Sequence, residues 1–435
     1  MQRNLCKELF ACRATSSPDP PGREAGPLTL RTGAGATVAT IRPAVNVLVY
    51  VSDALRIDHL GCYGARFLNT RTVDEFAAGG VRFDQAISAA PWTAPSTTSL
   101  VTGLYAHHHG YLHWDAELDP TIETVFRAFS AHGYEVASFV FDRNYLFKDL
   151  PEANVGGTSE SLDGVVEWLR ENRDGPFFLY VHSWATHMPY DILHSERQDW
   201  LAAKQEVIDG IQSDSASALE AMRERYRQAV ERQSEVLFAS LLEELEALGL
   251  REETVLVFTS DHGESWGERF AAKGDVKGVY HMHGATLYDE IVHLPLILSA
   301  PGRLEPAVVS SQVRSVDLVP TLLELAGLPG RETDGVSLLD VDGDRPAVIA
   351  GTDMGALTKL AVRMPPWKLI LHVESGEEEA YHLETDPRER VSRPTDVPPD
   401  LRALVFSELE SAERRELTEE EEATVAKRLS DLGYL

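Results

Sequence analysis

The tetrapeptide Asp261-His262-Gly263-Glu264 follows directly on the apolar run Val255-Leu256-Val257-Phe258-Thr259. A run of that kind is a buried strand. Its end delivers a carboxylate and an imidazole to the carboxyl edge of a sheet, where open α/β folds build their sites. One hard oxygen beside one borderline nitrogen suits a divalent cation. The plain alternative is a strand-end turn, with Asp261 as a cap and His262 at the surface. A second run, Val47-Leu48-Val49-Tyr50-Val51, ends in Ser52-Asp53 and repeats that placement of a carboxylate. Between the two lies Thr93-Ala94-Pro95-Ser96-Thr97-Thr98, which enters the apolar segment Ser99-Leu100-Val101. It reads as a helix N-terminus, whose free N–H groups and dipole attract an anion. Two carboxylates, an imidazole and a hydroxyl at a helix start make a metal-assisted site for an anionic ester. Asp53, Asp261, His262 and the Thr93 hydroxyl are the candidate residues of that site, with turn carboxylates and an N-cap threonine as the alternatives. Oxygen-rich ligation with one nitrogen admits Mn, Ca, Mg or Zn.

With these residues in view, the chain from Asn46 onward resembles the sulfatase family of the alkaline phosphatase superfamily. Asp53-Ala54-Leu55-Arg56 through Gly64 is similar to that family's first metal motif. Thr93 through Gly103, with His109-Gly110, is similar to its nucleophile motif. Phe177 through His182, with His187-Met188-Pro189-Tyr190, resembles its central strand and substrate-side histidine. Asp261 to Glu264, His283-Gly284 and Leu287-Tyr288-Asp289-Glu290 resemble its second metal motif and the segment behind it. Ser315 to Leu323, Asp334 to Leu338 and Tyr381 to Pro387 match later landmarks. The resemblance implies an alkaline-phosphatase-like α/β fold. That fold is a large mixed, mostly parallel sheet flanked by helices, with a small C-terminal antiparallel-sheet subdomain. It also implies His187 and His283 as substrate or leaving-group histidines, and Arg56, Lys273 and His281 as substrate contacts.

Two departures bear on the chemistry. Sulfatases of this pattern carry Cys or Ser at the position of Thr93, oxidised to formylglycine, and Arg at the position of Thr97. Oxidation of a threonine side chain gives a ketone, so the aldehyde-hydrate route is closed here. A threonine hydroxyl beside a cation is a competent nucleophile for phosphorus, which turns the expectation towards phosphate esters. A true sulfuric ester hydrolase, a phosphoryl transferase to an alcohol and a non-catalytic scaffold are the alternatives. Where relatives supply carboxylates for a second metal, this chain has Ser183 and Ala185, so one ion is expected.

The elements that must position these residues are legible as alternating strands and helices. Helices are expected over Thr72 to Ala78, Glu123 to His132 and Ser161 to Glu171. A long helix over Ala218 to Leu248 should turn Leu237, Leu241, Leu245 and Leu248 to the core, with Gly249 as its C-cap. Past an acidic stretch from Leu339 to Arg345, short strands over 347–350, 357–364, 367–373 and 380–383 predict an antiparallel sheet. The expected division is 1–43 as a disordered N-terminal extension, 44–342 as the catalytic domain and 343–435 as a smaller C-terminal subdomain and tail.

At 435 residues the chain can bury a large core. Its formal net charge of −29 argues against nucleic acid or an anionic membrane as partner. A small anionic ester is the expected ligand. The three cysteines show neither metal spacing nor a disulfide framework. No apolar segment has the length of an export core or a membrane span, so a cytoplasmic location is expected. His107 and His108 are expected at the surface.

Overall fold

The computed structural model describes residues 28–29, 45–113, 115–141, 146–153, 155–157, 162–190, 202, 205, 209, 216–266, 283–284, 286–353 and 355–412. Eight strands form the main sheet: β1 Asn46–Ser52, β2 Val81–Ile87, β3 Glu135–Phe139, β4 Val155–Gly157, β5 Phe177–Ser183, β6 Thr254–Ser260, β7 His293–Ser299 and β8 Ala307–Arg314. Their spatial order is β4-β3-β5-β1-β6-β7-β2-β8. Every neighbouring pair is parallel except those made by β7, which runs against both β6 and β2.

Strand β1 is central, and its side chains alternate between two cores. Val47, Val49 and Val51 pack with Phe126, Phe178 and Tyr180 on one face. Leu48 and Tyr50 pack with Leu179, Leu241 and Phe258 on the other. Burial on both faces is why the parallel strands read as unbroken apolar runs.

The helices that cover the sheet include α1 Arg71–Ala78, α2 Thr93–Thr102, α3 Val125–Ala131, α4 Asp163–Glu171, α5 Ala216–Arg232, α6 Ala239–Ala247 and α7 Leu318–Ala326, while α8 Pro399–Ser411 lies on the second sheet. The expected long helix is present but not uniform, because a wide-turn π segment over Gln233–Phe238 joins α5 to α6. There Gln233 leaves the helical register to donate to the Tyr50 hydroxyl (2.9 Å) and accept from Ser183 Oγ (2.8 Å), tying β1 to β5. Leu237, Leu241 and Leu245 are buried as the periodicity predicts. Gly249 takes the left-handed conformation (φ +71°) at the end.

The second sheet is antiparallel, in the order Ala347–Asp353, Ala356–Met364, Trp367–His372 and Glu378–His382. Leu360, Val362 and Leu369 of this sheet pack with Leu401 and Val405 of α8. Near the N-terminus, Leu28–Thr29 pairs antiparallel with Asp340–Val341. No described helix is long and apolar enough to cross a membrane.

Candidate active site at the carboxyl edge of the sheet

Three parallel strands end level with one another: Ser52 pairs in register with Ser183 on one side and Ser260 on the other. Each then turns, and the turn residues converge. Asp53 donates its backbone N–H to Ser183 O (2.8 Å). Ala54 follows in the left-handed region (φ +56°), a conformation unusual for a residue with a Cβ. In it the Ala54 N–H reaches Asp261 Oδ1 at 3.2 Å. The same oxygen accepts from His262 N at 2.9 Å. Ser88 and Ser96 both donate to Asp261 O, at 2.7 and 2.6 Å, binding the strand end to α2. Gly263 must be glycine: a Cβ there would lie 2.2 Å from Glu290 O, and its N–H donates to Ile291 O at 2.6 Å.

Asp53 and Asp261 are fully buried, not set in an open cleft. Asp53 Oδ1 and Asp261 Oδ2 have no hydrogen-bond partner. His262 Nε2 lies 3.5 Å from each of these oxygens and 3.1 Å from Thr93 Oγ1. Its Nδ1 is 2.7 Å from Gly263 O, so Nδ1 carries the proton and Nε2 presents its lone pair. Burial pushes the His262 imidazole down to about 4, which keeps it neutral near pH 7. Burial and the Asp261 charge raise the Asp53 carboxyl well above its ordinary range. Burial acts the same way on Asp261, but His262 and His182 outweigh it and hold that carboxyl low. Two buried carboxylates with unshared oxygens, a neutral imidazole and a hydroxyl are a donor set for one divalent cation.

His182 was not among the expected ligands. Its Nε2 stands 3.5 Å from Asp53 Oδ2 and 3.4 Å from Asp261 Oδ2, and Asp53, His182 and Asp261 form a buried group with metal-ligand spacing. The available signal was register: His182 lies opposite Val51, two residues before Asp53.

Thr93 opens α2, all ten residues of which are buried. Thr97 turns its hydroxyl back to Thr93 O (2.7 Å) and contributes nothing to the site. His283 is brought alongside because Gly284 N donates to Pro91 O at 2.9 Å. Its ring lies 4.5 Å from that of His262 and 5.1 Å from that of His187. Glu264 Oε1 stands 3.1 Å from His283 Nδ1, and Tyr190 OH donates to Glu264 Oε2 at 3.1 Å. His187 stacks on Trp184 (4.1 Å, 17°) and sets its Nδ1 2.7 Å from Met188 O. Trp184 Nε1 in turn donates to Asp53 Oδ2. Asp53, Thr93, His187, Asp261, His262 and His283 therefore form one contiguous cluster.

Arg56 makes contacts at the turn itself. It bonds Asp58 at 2.7 and 2.9 Å and Glu264 O at 3.0 Å, and it lies over the Trp266 ring at 4.4 Å. It braces the turn. Lys273 and His281 lie outside the described residues. His107, expected at the surface, is 2% exposed, because the turn Ala106–His109 is folded beneath α8.

The family model for sulfatases matches residues 45–328. The chain belongs to the sulfatase family. It shares 28% identity over 294 residues with the low-salt glycan biosynthesis sulfotransferase Agl7 of Haloferax volcanii, covering 67% of this chain and 64% of that one. The fold matches that of a protein solved in complex with its substrate D-glucosamine-2-N,6-O-disulfate (TM-score 0.67, 18% identity, 85% of this chain and 98% of the other). It also matches the phosphonate monoester hydrolase of Agrobacterium radiobacter (TM-score 0.64, 19% identity, 90% and 96%). This sulfatase-family chain carries the fold of these ester hydrolases, with Thr93 at the start of α2 beside His262.

Proposed function

We propose that the chain is a metal-dependent hydrolase of small anionic esters, with Thr93 as nucleophile and phosphate esters as its preferred substrates. The observation that carries this reading is the placement of Thr93 Oγ1, 3.1 Å from His262 Nε2 at the start of a buried helix. A divalent cation held by Asp53, Asp261, His262 and Thr93, with His182 beside them, would lower the pKa of the Thr93 hydroxyl and offset the charge on the ester. Thr93 then loses its proton to solvent, and Oγ1 attacks phosphorus. The Oγ1–P bond forms as the bond to the leaving oxygen breaks. His283, oriented by Glu264, or His187, oriented by the Met188 carbonyl, supplies the proton that the leaving oxygen takes. Water attacks the phosphothreonine and regenerates the Thr93 hydroxyl.

Threonine favours phosphorus over sulfur for a chemical reason. A sulfated threonine has no aldehyde hydrate through which to expel sulfate by elimination, whereas a phosphorylated one is opened by attack at phosphorus. A second reading, transfer to an alcohol acceptor in place of water, is favoured by the sulfotransferase name of the Haloferax relative.

The test is parallel turnover of an aryl sulfate, a phosphate monoester and a phosphodiester with added Mn, Ca or Zn. Phosphoester turnover should dominate. Thr93→Ala should lower it by about 10³-fold or more, and Thr93→Ser should keep much of it. Acid quenching should leave a phosphate adduct on the peptide that contains Thr93. Turnover of the sulfate alone overturns the phosphate preference, and full activity in Thr93→Ala or an adduct on another residue removes Thr93 from the mechanism.

A further inference from the structure

A second group of nitrogen and oxygen donors lies away from the ester site. His107 and His108 stand in the turn Ala106–His109. Glu408 stands on α8, in the i, i+4, i+7 series with the buried Leu401 and Val405. A carboxylate thus occupies a position on the inward face of the helix where the apolar pattern calls for a hydrocarbon. Glu408 Oε2 lies 3.0 Å from His107 Nε2 and 3.9 Å from His108 Nε2. One ligand atom from each of the three residues lies within 4.8 Å of the other two.

The shorter spacing is that of a hydrogen bond, and the pair of spacings also suits an ion. A tetrahedral zinc with bonds of about 2.0–2.1 Å sets neighbouring donor atoms about 3.3 Å apart, and 3.0 and 3.9 Å bracket that value. The surroundings of His108 point the same way. Its Nδ1 is 2.7 Å from Asp334 Oδ2, and that oxygen is itself held by Tyr105 N at 2.8 Å. A carboxylate on Nδ1 fixes the tautomer in which Nε2, 3.3 Å from Ser411 Oγ, presents its lone pair, as in carboxylate–histidine–zinc sites. His107 Nδ1 has no hydrogen-bond partner, so the Asp334–His108 unit carries the pre-organisation. Two imidazoles with one carboxylate select a borderline ion over Mg or Ca.

We propose that His107, His108 and Glu408 form a structural zinc site that fastens α8 to the catalytic domain. The chain from α2 to the site is short: Gly103 ends α2, and the turn bearing both histidines begins three residues later. Zinc there would clamp the last described helix to the segment behind the nucleophile.

The experiment uses untagged full-length protein carrying Asp261→Asn, which removes a ligand from the ester site. The protein is stripped with chelator and dialysed against zinc, and its metal content and thermal unfolding are measured. One zinc per chain should be retained, and zinc should raise the melting temperature by about 2–4 °C or more. Adding Glu408→Gln or His108→Gln should abolish both effects, with far-UV circular dichroism showing a folded chain. His108 is partly exposed, so its variant serves if Glu408→Gln does not fold. Zinc content and melting shift that are unchanged by both variants, or absent from the Asp261→Asn protein, overturn the proposal.

Discussion

Asp261 shows the conflict between stability and function at a single residue. Its Oδ1 is satisfied by two backbone N–H groups, while its Oδ2 faces Asp53 and the histidines without a hydrogen bond. In the metal-free protein the two buried carboxylates repel, which is why burial and Asp261 together raise the Asp53 carboxyl. Asp261→Asn keeps an acceptor for Ala54 and His262 and removes one of the two charges. The metal-free variant should therefore stay folded, yet bind no ion at the ester site and turn over no ester. Urea unfolding in chelator, metal analysis and an ester assay check the three parts. A variant with wild-type turnover would refute the ligand assignment. Asp53, Asp261 and His262 were legible because each ends an unbroken apolar run. His182 was not, since a histidine within such a run looks like a buried polar exception until the register sets it between two carboxylates. The Arg56 partners were not legible, because Asp58 and the Glu264 carbonyl are brought to it by the fold of the turn.

At the scale of elements, the segment from α2 through the turn Ala106–His109 shows how a buried helix start is held. His109 Nδ1 accepts from Tyr111 N at 3.0 Å, so its Nε2 carries the proton and lies within reach of Pro95 O at 3.2 Å and Ser99 Oγ at 3.0 Å. Protonation would set an N–H against an N–H. Burial pushes this imidazole from 6.5 down to about 3. Above pH 6.5 the folded and unfolded states both hold it neutral, and its contribution is complete. As pH falls below 6.5 only the unfolded state gains the proton, so stability declines towards about pH 3. The loss at His109 should reach the order of a few kcal/mol. Urea unfolding of metal-free protein at pH 7.5 and 5 should show the decline, and His109→Gln should flatten it. An equal slope in the variant would assign the pH dependence elsewhere. Strand and helix identities were legible here from periodicity, since α1, α3 and α4 begin and end within two residues of the expected limits. The π segment at Gln233 was not, because its cause is the pair of buried partners Tyr50 and Ser183, far away in sequence.

Across the whole molecule, the two sheets are joined by charges that no local pattern shows. Lys368 of the C-terminal sheet is fully buried. Its Nζ lies 2.9 Å from Asp289 Oδ1 and 2.9 Å from Glu389 Oε1. Arg363 holds Asp289 from the other side at 3.0 Å, and Glu389 Oε2 accepts from Asp289 N at 2.7 Å. Burial already pushes the Glu389 carboxyl up to about 7 against the pull of Lys368. The existence of two sheets could be read from strand lengths and spacing, but this joint could not, because its members lie up to a hundred residues apart. Asp289 begins the turn Asp289–Val292, whose Ile291 carbonyl receives the N–H of Gly263. The cluster thus supports the back of the metal site as well as the seam between sheets. Lys368→Met preserves the volume of the stem and removes the charge, leaving two carboxylates buried with Arg363 alone. Breaking a buried ion cluster in this way costs about 3–5 kcal/mol. The variant should unfold at correspondingly lower urea. Since Glu389 would then take its proton at a higher pH than in wild type, the deficit should narrow as pH falls towards about 7 and stay level below it. Unfolding curves for wild type and Lys368→Met at pH 8 and pH 6 measure both effects. A difference below about 1 kcal/mol at pH 8, the scale of an exposed pair, would show that the cluster does not hold the two sheets together.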